Sequence, residues 1–198
     1  MTLLDDGVTC QGGDVEFVFV SGNPALDLLG TLKWRRTAPE EGLAEPADAA
    51  RWAVEAGLLS AAPAAGRDDL DRIRELREVT YRLVHATLGG SGWDGADLRT
   101  LNAAAAGSPT SLTLGSRGAQ RTGGLGAATA EVARAAVVLL GEMAGETPPR
   151  VRECERQACT RLFIDRSRGG TRSWCGMAEC GNRVKAREYR ARKAATST

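Results

Sequence analysis

The chain has 198 residues, of which 42% are hydrophobic, 26% charged and only 5% aromatic. That is a globular composition, which excludes disordered and fibrous classes and suits one domain or one domain with a small module. The 26 basic and 25 acidic side chains leave a formal charge of +1, but residues 150–198 carry 13 Lys or Arg against 5 Asp or Glu, whereas residues 1–149 carry 13 against 20. A body of net −7 thus precedes a tail of net +8, an asymmetry that points to a polyanion-binding end.

No apolar run approaches the roughly 20 residues of a bilayer span. The start, Met-Thr-Leu-Leu-Asp-Asp, places acids where a secretory signal carries basic residues. A cytoplasmic protein with no membrane partner is therefore expected, and in a reducing compartment its five cysteines serve as metal ligands or free thiols rather than disulfides.

The β-branched and aromatic run 15–20 predicts a short buried strand. Asn23-Pro24 then reads as an N-cap and first-turn pair, opening a helix from Pro24 to about Trp34. Gly30 weakens that helix by about 1 kcal/mol relative to Ala and offers a place for it to end. A second helix begins near Pro46, with Ala49, Trp52, Ala53, Ala56 and Leu59 on one side. A third starts near Asp68, where Leu70, Ile73, Leu76, Thr80, Leu83 and Thr87 recur at spacings of three and four. Its outer face offers Arg74–Glu78 and Glu78–Arg82 pairs at the supporting interval of four.

Residues 94–106 form a shorter helix, and Ser111-Leu112-Thr113-Leu114 a weak strand with Gly-Ser-Arg-Gly as its turn. Residues 125–144 form the most apolar helix, expected in the middle of the body with Leu125, Val132, Ala136, Val137, Leu140 and Met143 on one stripe. Gly145-Glu-Thr-Pro-Pro149 breaks the chain where the composition turns basic, which divides it into 1–149 and 150–198.

Four cysteines, Cys154, Cys159, Cys175 and Cys180, follow the pattern Cys-x4-Cys-x15-Cys-x4-Cys. Four thiolates complete a tetrahedral zinc, and a site with no open position is structural. Two disulfides or an iron–sulfur cluster are the alternatives; the compartment argues against the first and the wide gaps against the second. The tail has few large apolar side chains and cannot fold on burial alone, whereas structural zinc supplies about 10–16 kcal/mol in small finger peptides.

Residues 161–165 read as a strand, 166–170 as a turn, 171–174 as the returning strand and 177–193 as a helix. A knuckle, a hairpin and a helix whose first turn supplies the last ligand make a treble clef. Arg183, Arg187 and Arg190 fall on one helix face, Lys185 broadens it, and Arg166, Arg168 and Arg172 sit on the hairpin. Phosphate contact by these cations, with the helix in a major groove, is one reading, and a solvated helix end or a protein-docking surface is the other.

At Cys180-Gly181-Asn182-Arg183 the sequence resembles the CGNR zinc-finger proteins. Leu162-Phe-Ile-Asp-Arg-Ser-Arg168 and Trp174-Cys-Gly-Met-Ala-Glu-Cys180 extend the match. Upstream, Asn23-Pro-Ala-Leu-Asp-Leu-Leu-Gly-Thr31, Trp52 to Leu59, Ile73-Arg-Glu-Leu-Arg77 and Leu101-Asn102 resemble the ABATE-type N-terminal domain of stress-induced transcription regulators. The resemblance implies an α/β domain that binds a small ligand, followed by a DNA-binding zinc finger. The family usually has Asn where this chain has Gly30, so a pocket lined by that Asn would differ here.

An α+β fold is expected, with a predominantly helical N-terminal domain, a few short strands and a C-terminal treble-clef zinc finger. The function expected is transcription regulation by DNA binding, with one structural Zn2+ and a ligand-sensing body; the alternative is a zinc-stapled adaptor for protein or RNA. Candidate ligand contacts are Asn23, Asp27 and Arg35, and a homodimer is a further partner to consider. No enzyme is expected. His85 reads as packing, Asn182 as a hydrogen-bond donor to the thiolates, Cys10 as a bystander thiol, and Trp34-Arg35-Arg36 as closing the first helix.

Overall fold

The structure, a computed structural model, describes residues 16–116 and 118–195; at 187, 188, 191, 192, 194 and 195 the backbone alone is described. Its elements run α1 (Pro24–Leu29), β1 (Leu32–Lys33), β2 (Glu40–Glu41), α2 (Pro46–Glu55), α3 (Arg67–Leu88), α4 (Gly95–Ala105), β3 (Ser111–Gly115), β4 (Gly118–Thr122), α5 (Leu125–Met143), β5 (Val151–Glu153), β6 (Leu162–Ile164) and α6 (Asn182–Ala195). A π-helical turn, Met177–Gly181, leads into α6. The strands form three separate antiparallel pairs, β1 with β2, β3 with β4 and β5 with β6. Helices therefore dominate an α+β fold, and no described helix is long and apolar enough to cross a membrane.

Local chemistry sets the helix starts. Asn23 accepts from the Ala25 amide at 2.8 Å and Pro24 follows it, as a cap and first-turn pair should. Asp94 accepts from the amides of Ala96 and Asp97. Asp48 and Asp69 reach back to the Glu45 and Gly66 amides at 2.9 and 3.0 Å. The first helix is shorter than 24–34: it ends at Leu29, with Gly30 as its C-cap, because the chain turns there into β1.

α5 packs against α1, α2, α3 and α4, and its buried stripe includes Leu125, Ala128, Val132, Ala133, Ala136, Leu139 and Leu140. Val137, expected on that stripe, is 38% exposed. α3 buries Leu70, Ile73, Leu76, Thr80 and Leu83. Its expected i,i+4 ion pairs are not the ones formed: Glu78 is taken by its neighbour Arg77 and by Arg35 from outside the helix, Arg82 takes Asp97 of α4, and Arg74 donates to the carbonyls of Leu43 and Ala44. The forks of Arg35 and Arg82 each reach both oxygens of a carboxylate on another element, which a surface i,i+4 pair does not match.

The strand expected at 15–20 is not formed over the described residues 16–20, of which only Phe17 is buried. Their carbonyls are taken by side chains instead: Arg161 donates to Val18 O at 2.7 Å and Arg172 to Val20 O at 3.0 Å. The amide of Ile164 then donates to Ser21 O at 2.8 Å. The C-terminal module is thus tied to the head of the described chain, and Val151 and Leu162 join the same hydrophobic core as α1, α3 and α5.

Candidate zinc centre and basic face

In the C-terminal module β5 pairs with β6, in the register Val151↔Ile164, Arg152↔Phe163, Glu153↔Leu162. The returning strand expected at 171–174 is absent. Asp165 explains why: its carboxylate accepts from the amides of Ser167 and Arg172, which bends the chain into a turn and spends the amide of Arg172. The hairpin brings Cys154 and Cys159 together from one side. The second pair comes from Cys175 and from Cys180, the latter held by the π-helical turn just ahead of α6.

All four cysteines are buried and free of disulfides, and their sulfurs lie within 4.8 Å of one another. Cys159 Sγ is 3.9 Å from Cys175 Sγ, which is 3.7 Å from Cys180 Sγ. Zinc–thiolate bonds of about 2.3 Å place tetrahedral sulfurs about 3.8 Å apart, so the donor set has the size of the ion. Four thiolates leave no open coordination position, and the zinc is structural.

Several cations surround the centre. Arg156 Nη1 donates to Cys180 Sγ at 3.8 Å, and its guanidinium lies 4.6 Å from the centroid of the Trp34 ring. Trp34 comes from the body, immediately after β1, and has a left-handed backbone with φ 53°. Among the described contacts no bond joins Asn182 to a sulfur; Asn182 is exposed, and Arg156 supplies the thiolate contact expected of it. The clue in the sequence was a cation inside the first Cys-x4-Cys gap.

Around α6, Arg183, Lys185 and Arg190 are exposed, and Lys185 Nζ stands 5.9 Å from the Trp174 ring centroid. Arg187 lies on the same helix, with its side chain outside the described residues. Arg168 is exposed in the 166–170 turn. Arg166 and Arg172 differ from the rest. Arg166 donates to Gly22 O at 3.0 Å. Arg172 turns inward, stacks 4.3 Å from the Phe163 ring centroid and donates to the carbonyls of Trp174, Cys175 and Val20. Its donors hold the module to the body and are not presented outward.

Of the candidate ligand residues, Asn23 and Asp27 line one open groove of about 700 Å³ with Phe19, Leu58 and Val138. Burial raises the Asp27 carboxyl above the usual carboxylate range, against the Ser21 hydrogen bond and the Arg161 charge that lower it. Arg35 lies elsewhere: it pairs with Glu78 at 2.6 Å, stacks 4.2 Å from the Tyr81 ring centroid, and donates at 3.4 Å to Leu29 O at the end of α1. A second cavity of about 310 Å³ lies at the seam between body and finger, walled by Gly30, Trp34, Arg161 and Arg183 among others. The position where the family usually has Asn therefore does face a cavity. His85 stacks on Tyr81 at 4.3 Å, and Cys10 lies outside the described residues.

Two family models match this chain. Residues 150–193 match the CGNR zinc finger, and residues 22–143 match ABATE, described as "Putative stress-induced transcription regulator". The chain belongs to the ABATE family. Its CGNR finger contains all four zinc ligands, and its ABATE region spans α1 to α5. No curated protein matches the sequence.

Proposed function

We propose that this ABATE protein regulates transcription by binding DNA through its zinc finger, with the ABATE region as the sensing part. One contrast carries the reading. In the body Arg35, Arg51, Arg72, Arg77 and Arg82 each pair with a carboxylate. On the finger Arg168, Arg183 and Arg190 have no carboxylate partner among the described residues. Unpaired cations on one small module suit a row of phosphates, whose neutralisation releases counterions and supplies affinity.

The ligand reading rests on the groove beside Asn23 and Asp27, where Phe19, Leu58 and Val138 supply apolar wall and Glu55, Arg121, Glu131 and Arg134 supply charge. Catalysis is no part of the proposal. His85 is stacked on Tyr81, and a zinc held by four cysteines offers no place for water or substrate.

Fluorescence titration of the zinc-loaded full chain against labelled duplex DNA tests the reading. Binding at low salt that weakens steeply as salt rises is expected. No binding even at low salt overturns it, and retention of a protein partner after nuclease treatment would favour the adaptor instead.

A further inference from the structure

A groove of about 490 Å³ runs along the start of α6, walled by Arg156, Asn182, Arg183, Val184, Ala186 and Arg190. No carboxylate among the described residues lines it, whereas Glu16, Glu40 and Glu179 line the seam cavity and Asp27, Glu55 and Glu131 the larger groove. Three arginines line this groove from two parts of the finger. Arg183 and Arg190 stand on the helix, two turns apart, and Arg156 comes from the loop between Cys154 and Cys159. An amide side chain, Asn182, completes the polar wall. Planar forks with several donors suit phosphate oxygens, and among the described residues no acid in the groove offsets these cations.

Arg156 is held differently from the other two. Its guanidinium lies against the ring of Trp34 at 4.6 Å and donates to Cys180 Sγ at 3.8 Å. A stacked guanidinium keeps its remaining N–H groups free for another acceptor. Trp34 belongs to the ABATE region and is itself fixed by a left-handed backbone and by the turn in which the Thr37 amide donates to its carbonyl at 2.9 Å.

We propose that Arg156, Arg183 and Arg190 form a binding notch for a DNA backbone phosphate, and that Trp34 of the body is the positioning residue that completes it. The inference rests on the DNA-binding reading and adds to it a contact residue outside the helix and a dependence of the finger's grip on the body. Anything that moves Trp34, which also lines the seam cavity, alters the aim of Arg156 and hence DNA affinity.

The test is a titration of zinc-loaded full-length variants against one duplex at several salt concentrations, with zinc content measured for each. Arg156→Ala is expected to weaken binding about tenfold at moderate salt and to make the slope of log K against log salt less negative by about 0.9, the loss of one phosphate contact. Trp34→Ala should reproduce part of that loss, Trp34→Phe should restore it, and Trp34→Ala added to Arg156→Ala should cost nothing more.

Arg156→Lys provides a second variant should the alanine lose its zinc: it keeps the charge, gives up the fork, and is expected to bind between wild type and alanine with an unchanged slope. Wild-type DNA binding together with zinc-loaded Arg156 variants of unchanged affinity and slope overturns this proposal alone. Failure of the wild type to bind overturns the reading beneath it.

Discussion

The guanidinium of Arg161 occupies the space over Gly30 that a side chain would fill: a Cβ built at Gly30 would stand 2.7 Å from Arg161 Nη1. Gly30 has an ordinary helical backbone, φ −70°, so the glycine is explained by this approach and not by conformation. Arg161 is 8% exposed and uses the same nitrogen to hold Val18 O at 2.7 Å. Gly30→Ala gains about 0.4–1 kcal/mol from the unfolded chain but displaces a charged hydrogen bond worth about 1.5–3 kcal/mol. A net loss of about 1 kcal/mol in urea unfolding is expected. In an Arg161→Met background the same substitution should become neutral or stabilising; equal effects in both backgrounds would show that the two residues are not coupled.

Arg77 and Glu41 form the most buried ion pair of the body. Arg77 Nη1 and Nη2 each lie 2.6 Å from a Glu41 oxygen, Nη1 also donates to Thr31 Oγ1 at 3.1 Å, and the Arg77 side chain is 4% exposed. Removing one partner of such a pair strands the other in the interior at a cost of about 3–5 kcal/mol. Because Glu41 keeps some contact with water, Arg77→Ala is expected to lose about 3 kcal/mol, the lower end. Arg77→Lys should recover little, since an ammonium cannot reproduce the fork. The joint replacement Arg77→Met with Glu41→Leu should be far milder than either single change, measured by the same unfolding.

The pair also fixes a pH dependence. Burial would raise the Glu41 carboxyl, but the Arg77 hydrogen bonds and charge outweigh it and hold Glu41 below its ordinary 4.5. Glu78 behaves alike under Arg35 and Arg77. A carboxylate whose folded pKa is depressed binds fewer protons than its unfolded counterpart, so its stabilisation is present above the unfolded value and lost as pH falls through the folded one. The difference in melting temperature between wild type and Glu41→Gln should therefore be constant above about pH 5.5 and shrink progressively below about 4.5. Protonation of the zinc thiolates acts on both proteins and cancels in the difference. A gap independent of pH would exclude the ionised pair as the source.

What could be read from the sequence follows from distance along the chain. α3 and the cap at Asn23 rest on neighbours within four residues, and the zinc ligands on a spacing of few residue types; all were legible. The unpaired course of residues 16–20 was not, because its partners Arg161 and Arg172 lie 143 and 152 residues away from Val18 and Val20. A β-branched run predicts extended backbone but cannot say whether a strand or a guanidinium takes its carbonyls. Arg172 shows the same limit. Its charge placed it among the cations of the hairpin, while the Phe163 ring and the three carbonyls that turn it inward leave no periodic signal.

Loss of zinc should be felt beyond the finger. The metal supplies most of the local folding energy of a module with so little core of its own, yet Val151 and Leu162 pack into the core shared with α1, α3 and α5, and Leu162 is fully buried. Elemental analysis is expected to give one zinc per chain, and Cys175→Ser or a strong chelator to remove it. Unfolding the finger then withdraws Leu162 from the body, and a fully buried leucine is worth about 1.5–3 kcal/mol. The body should melt at lower temperature but still cooperatively, because Leu26, Trp52, Ile73 and Leu139 keep their contacts within it. Zinc retention should fall as pH drops, since four protons compete for the thiolates. A metal-free chain with an unchanged melt and an intact helical signal would show that the finger does not depend on zinc.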